Sequence, residues 1–494
     1  MTINAKTLFD PSLEKDNCGF GLIAQRNGKR SRKLVKKSIL GLTSMTHRGA
    51  IGADGKTGDG CGLLFDLNHS FFKLKVGGEL DVELPDFFAI AQLFHKNDID
   101  FYYSSIRKFL NSQDLDIAVT RSVPVNNEVL GKIARQNLPN ISQVFITSKN
   151  TNLNKERFEA CLLQARKFIE EKFNNDEEFY VCSMSTQTIV YKGLMLPSAI
   201  DEFYLDLKDK KFEAKICLFH QRFSTNTLPR WHLAQPFRLL AHNGEINAIR
   251  GNRNWAKARK SKFSTALIPE ITTFKNLVNE KGSDSSALDN MIEILVKGGI
   301  NTFRALRMVL PPAWQNIHMM DPEIKSFHEY NSMHMEAWDG PAGIVMSDGR
   351  WAICLLDRNG LRPARYRIDS EGYVTIASEI GVFPQDESNF ITKGRIGAGG
   401  IFAIDTETGE LIDQSIIDSK LKEGKPYRAW LRSKAKYLES SLYNYAGSGI
   451  KLISSVDLNK ASKYFMLYTE ERQSVIKPLA MDSSEGTGSM GDDT

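Results

Sequence analysis

Apolar and polar positions recur along this chain with two different periods, and the periods predict its elements. Residues 18–24 (CGFGLIA) are a short apolar run and predict a strand. Leu34, Val35, Ile39, Leu42 and Met45 then share one face at helical spacing. Phe158, Cys161, Leu162, Ala165, Phe168 and Ile169 do the same within 155–173. Leu288, Met291, Ile292, Leu295 and Val296 predict a helix over 285–296, and Gly298-Gly299 ends it. Between 342 and 378 the period shortens. AGIVM, WAICLL, ARYRI and YVTIA are separated by SDGR, DRNGLRP and DSEG. Asp-Gly and Asn-Gly steps are hairpin signals, so this segment reads as one antiparallel meander. IFAIDTETGELID adds a hairpin at 401–413. Helices before and between antiparallel hairpins predict an α+β fold in which sheet packs on sheet and helices cover the outside.

From about Ser415 the texture is charged and helix-prone through Ala435 and Tyr445, and it closes on SSEGTGSMGDDT. That end reads as the interruption of a longer protein. The 494 residues suggest roughly three domains, or one large domain with extensions. With 41% hydrophobic and 25% charged residues, wholesale disorder is excluded. Lys+Arg minus Asp+Glu is 64 − 59 = +5, which points to neither a nucleic-acid nor a membrane partner. No apolar run approaches the ~18 residues of a membrane span. The N-terminus is polar and unlike a secretory signal. The basic run Arg26, Lys29, Arg30, Arg32, Lys33, Lys36 and Lys37 is expected to be a solvated helix face.

Six cysteines, Cys18, Cys61, Cys161, Cys182, Cys217 and Cys354, include no C-x-x-C pair. Their spacing argues against a disulfide scaffold, a zinc site or an iron–sulfur cluster, and for a reducing cytoplasm. Cys161, Cys182, Cys217 and Cys354 lie in apolar helix or strand patterns and read as inert packing. Cys18 stands in Asn-Cys-Gly-Phe-Gly. Cleavage after Asn17 would make Cys18 the N-terminus. Its own α-amine, with an ordinary pKa of about 7.7–8.0, would then accept the thiol proton, so that one residue supplies nucleophile and base. In His242-Asn243-Gly244-Glu245-Ile246, a side-chain amide beside a glycine N–H is either an oxyanion-binding pair or an ordinary Asn-Gly turn. Arg222 follows the strand KICLF, and is either a two-pronged carboxylate clamp or a surface ion pair. In Gly282-Ser283-Asp284-Ser285, Ser283 or Asp284 is either a helix cap or, for the aspartate, a receptor for an ammonium group. Arg48 lies in a glycine-dense loop running from His47 to Gly62.

Together these segments resemble the class II glutamine amidotransferases, and within them the amidotransferase domain of the glutamate synthase large subunit. CGFG, THRGAIGADGKTGDG, HQRFSTNT, HNGEINAIRGNRNW, GSDSSALDN, EAWDGPA and DRNGLRPARY occur in the family order. The resemblance runs from Cys18 to about residue 412 and continues weakly beyond. It implies a four-layer αββα sandwich of the N-terminal-nucleophile type with a short C-terminal extension. It also implies a propeptide at 1–17, an amidotransferase domain at 18–412, a helical connector at 413–450 and the start of the synthase central domain at 451–494. Cys18 would be the nucleophile, with Asn243 and Gly244 as oxyanion donors. Arg222 would hold the α-carboxylate of L-glutamine and Asp284 its α-ammonium. Arg48 would lie beside the nucleophile and Thr225 at the pocket edge. The implied reaction is hydrolysis of glutamine to glutamate and ammonia through a cysteine thioester. In the full enzyme the ammonia passes to 2-oxoglutarate. FMN and an iron–sulfur cluster are implied for that enzyme, and no cofactor or metal for these residues. The implied partners are the synthase domains and an electron donor, either ferredoxin or a small electron-donating subunit. The alternative is an unprocessed, catalytically inactive binding module of the same fold. Two departures stand out: Cys61, where the family has a small residue, and Ala398, where it has proline.

Overall fold

The computed structural model describes residues 18–150, 153–173, 179–222, 228–317, 319–382, 389–436, 473 and 476–482. The chain divides into two units, Met1–Ser433 and Lys434–Thr494. The second contributes a short helix, Lys477–Asp482.

Two antiparallel sheets form the centre of the first unit. One has seven strands in the order β14-β12-β13-β1-β8-β2-β7. These are β1 (Gly19–Gln25), β2 (Cys61–Asp66), β7 (Thr188–Gly193), β8 (Ile216–Gln221), β12 (Arg365–Asp369), β13 (Tyr373–Ala377) and β14 (Phe390–Arg395). The other has five in the order β16-β15-β11-β10-β9. These are β9 (Leu240–Gly244), β10 (Ala342–Ser347), β11 (Trp351–Leu356), β15 (Ile401–Asp405) and β16 (Leu411–Ile412). Alternation along the strands decides what each face meets. Phe20, Leu22, Leu64, Val190 and Leu218 of the first sheet pack against Ala241, Val345, Cys354 and Ile404 of the second.

The outer faces are covered by helices. On the seven-stranded sheet, Ile23, Leu63, Phe65 and Phe219 join residues of α1 (Arg32–Ser44), α2 (His69–Leu80), α4 (Lys132–Gln136) and α6 (Ile200–Phe203) in one core. On the five-stranded sheet, Leu240, Ile344, Met346 and Ile353 pack with residues of α7 (Ile249–Arg259), α8 (Asp284–Lys297), α9 (Thr302–Val309) and α10 (Pro322–Ser332). The helices α11 (Gln414–Glu423) and α12 (Tyr427–Lys434) add Ile417, Leu421 and Tyr427 to that core. Helix, sheet, sheet, helix is the expected layering.

Two features differ from the sequence reading. The segment 342–378 is two hairpins rather than one meander. The strands β10 and β11 pair in the five-stranded sheet, whereas β12 and β13 pair in the seven-stranded one. Hairpin signals report local pairing only, and the crossing between sheets at 357–364 carries no such signal. A third sheet was also unforeseen. It has the order β4-β5-β3-β6, from β3 (Ala89–His95), β4 (Leu115–Ser122), β5 (Asn140–Ser148) and β6 (Tyr180–Ser185). Its apolar residues Ala91, Leu93, Val144 and Val181 pack on α3 (Ile99–Asn111) and α5 (Lys155–Lys172).

The basic run around α1 is only partly a solvated face. Arg30 pairs with Asp66 at 2.7 Å, Lys33 with Glu371 at 2.5 Å and Lys37 with Asp369 at 3.0 Å. Lys37 also lies 4.3 Å from the centre of the Tyr373 ring. The acid that pairs with Arg30 ends β2, whereas those that pair with Lys33 and Lys37 come from the end of β12 and the turn after it, more than 300 residues away in sequence.

Candidate active site

Strand register brings three loop ends together. Gly19 of β1 and Cys61 of β2 both stand opposite Gln221 of the central strand β8. One residue further along each strand are Cys18, Gly60 and Arg222. The Arg222 N–H donates to the Gly60 carbonyl at 2.8 Å. Arg222 is therefore buried beside the start of β1 rather than paired on the surface. Burial lowers its pKa, while Cys18, Asp59 and Asp284 beside it act in the opposite direction.

The second sheet supplies Asn243. Along β9, Ala241 faces the interior between the sheets, and Leu240 faces the helical core. Alternation turns Asn243 the same way as Ala241. Its side-chain Nδ2 donates to the main-chain carbonyl of Cys18 at 2.6 Å. Asn243 and Gly244 end a strand and do not form a turn. Gly244 has φ +141°, and a Cβ there would lie 1.8 Å from the Pro341 carbonyl oxygen. Only glycine satisfies both demands.

The opposite face of β9 is held by α8. Ser283 is the N-cap of this helix and accepts from the Ser286 N–H at 3.1 Å. That leaves Asp284, the first helical residue, to accept from the Ile246 N–H at 2.8 Å. Ser285 Oγ lies 2.7 Å from His242 Nδ1 and donates to Asp284 Oδ1 at 3.3 Å. Burial holds His242 below the ordinary imidazole range, so it is neutral near pH 7.

Arg48 ends the short turn Thr46–Arg48. A Cβ at Gly19 would lie 3.2 Å from Arg48 Cγ, so this side chain runs along the residue next to Cys18. Its Nε donates to Glu379 Oε2 at 2.6 Å, and the other oxygen of Glu379 lies 2.8 Å from His47 Nε2. Cys18, Arg48, Arg222, Asn243, Gly244 and Asp284 thus come from five chain segments, Asn243 and Gly244 sharing the end of β9. Thr225 lies outside the described residues.

All six cysteines are thiols, and only Cys18 is not buried. Burial pushes the other five up, Cys182 to about 12. Cys61 donates its Sγ–H to the Met195 carbonyl at 3.3 Å. Thiols so placed are poor nucleophiles. Among the described residues no group of three or more His, Cys, Asp or Glu side chains could hold a metal ion.

The sequence reading missed Glu379, Asp59, His242 and Ser285 as parts of this site. Glu379 had no signal, because its partner Arg48 is 331 residues away. Asp59, His242 and Ser285 sat inside recognised motifs, but their partners are fixed only by tertiary packing.

The family model of class-II glutamine amidotransferases matches residues 18–430. A "Glutamate synthase [NADH]" of Saccharomyces cerevisiae is 36% identical over 98% of this chain and 24% of its own length. "Ferredoxin-dependent glutamate synthase 1, chloroplastic/mitochondrial" of Arabidopsis thaliana is 36% identical over 97% of this chain and 30% of its own. The "Glutamate synthase [NADPH] large chain" of Azospirillum brasilense is 36% identical over 98% and 32%. The chain thus spans about a quarter to a third of the length of these relatives. A family match over so much of the chain, on a four-layer fold, settles membership: the chain belongs to the class-II glutamine amidotransferases.

Proposed function

We propose that this chain carries the glutaminase half-reaction of a glutamate synthase, hydrolysing L-glutamine to L-glutamate and ammonia. The observation that carries the reading is the meeting of Cys18 and Asn243, one from each central sheet, at 2.6 Å. Removal of residues 1–17 frees the Cys18 amine. That amine takes the thiol proton, and the thiolate attacks the side-chain amide carbon of glutamine. The resulting oxyanion is met by Asn243 Nδ2, which has a second N–H beyond the one given to Cys18, and by the Gly244 N–H. Collapse breaks the C–N bond, and the Cys18 ammonium protonates the departing ammonia. Water then hydrolyses the thioester. Arg222 holds the α-carboxylate and Asp284 the α-ammonium. Arg48, fixed by Glu379, borders the nucleophile, and Thr225 the pocket edge.

In this reading residues 18–412 are the amidotransferase domain, 413–450 a connector and 451–494 the start of a synthase central domain. Ammonia then passes to 2-oxoglutarate in the synthase domains, with electrons from ferredoxin or, through a small second subunit, from reduced nicotinamide. FMN and an iron–sulfur cluster belong to that part of the enzyme. The cysteines here do not fit a cluster: five are buried, and they are spread over three separate cores. No step above runs through either group. A cytoplasmic setting without nucleic-acid or membrane partners agrees with the near-balanced charge. Among the described residues no helix is long and apolar enough to cross a membrane.

The test is to incubate the purified chain with glutamine, measure ammonia and glutamate, and determine the intact mass. Stoichiometric release by a protein that begins at Cys18 supports the reading. An unprocessed protein without activity supports the binding-module alternative.

A further inference from the structure

Strand β9 is an edge strand, and its register with β10 determines which of its main-chain groups point outward. Gly244 stands opposite Ala342 and Leu240 opposite Met346. In an antiparallel pair, hydrogen-bonded and non-hydrogen-bonded pairs alternate. The Ser347 N–H donates to the Leu239 carbonyl at 2.9 Å, and the Glu245 N–H to the Pro341 carbonyl at 2.9 Å. Odd-numbered β9 positions are therefore bonded to β10, and Leu240, His242 and Gly244 turn their groups away from it. Ala342 agrees. Its N–H goes to Asp357 Oδ2 at 3.0 Å, and its carbonyl accepts from the Asp357 N–H at 2.8 Å.

Outward-facing groups on a buried edge need partners. At Leu240 the N–H goes to Asp289 Oδ1 at 3.3 Å, and the carbonyl accepts from the Phe237 N–H at 2.8 Å. At His242 one side chain serves both groups. The His242 N–H donates to Gln235 Oε1 at 2.7 Å, and Gln235 Nε2 donates to the His242 carbonyl at 3.1 Å. Gln235 is 6% exposed. His220 Nε2 also lies 3.2 Å from that carbonyl. The His242 carbonyl and the Asn243 N–H belong to one peptide unit. Gln235 thus stands in for a missing neighbour strand immediately before the two oxyanion donors.

We propose that Gln235 is a positioning residue: its side-chain amide clamps the His242 backbone and thereby sets the Asn243 amide and the outward Gly244 N–H. This role rests on the glutaminase reading given above. Displacement of catalytic donors by a fraction of an ångström lowers rate more than substrate affinity, because their bonds strengthen in the transition state.

The test compares wild type, Gln235→Met, Asn243→Ala and the double variant in the full chain, with glutamine as substrate. Gln235→Met keeps length and loses both hydrogen bonds. The expected result is a kcat lower by about 10- to 100-fold, with KM within about 3-fold and the circular dichroism spectrum retained. In the Asn243→Ala background the same change should cost clearly less than in wild type, because only the Gly244 N–H is then left to be displaced and residues acting as one unit are non-additive. If Gln235→Met does not accumulate as folded protein, Gln235→Glu makes the comparison. It keeps the acceptor for the His242 N–H and loses the amide donor. A rise confined to KM, or an equal loss in both backgrounds, overturns the positioning role. A processed wild type that does not hydrolyse glutamine overturns the functional reading itself, and this role with it.

Discussion

The side-chain amide of Asn243 reaches the main-chain carbonyl of Cys18 across 2.6 Å and 225 residues of sequence. The contact exists because the two central sheets present β1 and β9 to each other, with alternation turning Asn243 inward. If the Asn243 amide serves the oxyanion, Asn243→Ala should lower kcat by about 10²–10³ with little change in KM. Steady-state kinetics on glutamine check this. A loss confined to KM would instead make Asn243 a ground-state binding group.

Cys18→Ser should abolish glutaminase activity while the protein stays folded. A hydroxyl is far less ionised than a thiol near neutral pH, and it is a weaker nucleophile. A glutamine-like chloroketone or diazoketone should label Cys18 alone in peptide mapping. Cys61 is close in the sheet, but burial raises its pKa and its Sγ–H is given to Met195. Label on Cys61, or an active serine variant, would sink the assignment of the nucleophile.

Arg222→Lys should raise KM for glutamine by about 10-fold or more, since a point charge does not replace a planar clamp. Asp284→Asn is informative in a different way. The amide oxygen can still accept from the Ile246 N–H, which Asp284 Oδ2 now binds at 2.8 Å, so the loop holding Gly244 is preserved while the charge is lost. Small primary amides without α-groups should be poor substrates, and nearly indifferent to both changes. Equal losses on such amides would mean that these residues serve the fold.

How much of this was legible in sequence depended on the range of each interaction. The helix 284–297 and its Gly298 stop follow from local periodicity, and so does each hairpin. The division of the hairpins at 342–378 between two sheets does not, because both arrangements satisfy the same turns. Cys18, Asn243 and Arg222 stood out through the chemistry of their motifs. Gln235 and Glu379 did not, because their partners lie across tertiary contacts. The buried network in which Arg238 lies 3.2 Å from Glu293, and Arg166 pairs with both Glu170 and Glu293, was equally invisible. Arg166, Glu170 and Glu293 look like solvated helix charges, and Arg238 like a loop charge, until α5 and α8 are packed together.

Gly244→Ala should be much more damaging than its size suggests. The positive φ alone costs on the order of 1–3 kcal/mol for a residue with a Cβ, and that Cβ would lie 1.8 Å from the Pro341 oxygen. We expect a lower Tm together with lost activity. Gly251→Ala in α7 is the control. Nothing lies within 4 Å of a Cβ there, and alanine favours the helix. Equal melting temperatures for the two variants would contradict the described backbone at Gly244.

Stability should fall with acidification in part through buried histidines, and His328 of α10 offers a test away from the active site. Its ring is buried, stacked with Trp314 at 6.3 Å and edge-on to Phe327 at 5.1 Å. Burial first, and the positive charge of Arg307 second, lower its pKa to about 3. In the unfolded chain it titrates near about 6.5. Above that pH the residue is neutral in both states and contributes no pH dependence. As pH falls from about 6.5 towards 3, the unfolded chain binds a proton that the folded protein refuses, so stability is lost. His220, held down to about 3, and His232, to about 4, act in the same direction. His328→Phe keeps an aromatic ring and removes one of these protons. In urea unfolding between pH 7 and 4.5, the variant should gain on wild type by up to about 1.4 kcal/mol for each pH unit below 6.5. Parallel curves over that range would show that His328 takes up its proton equally in the folded and unfolded states.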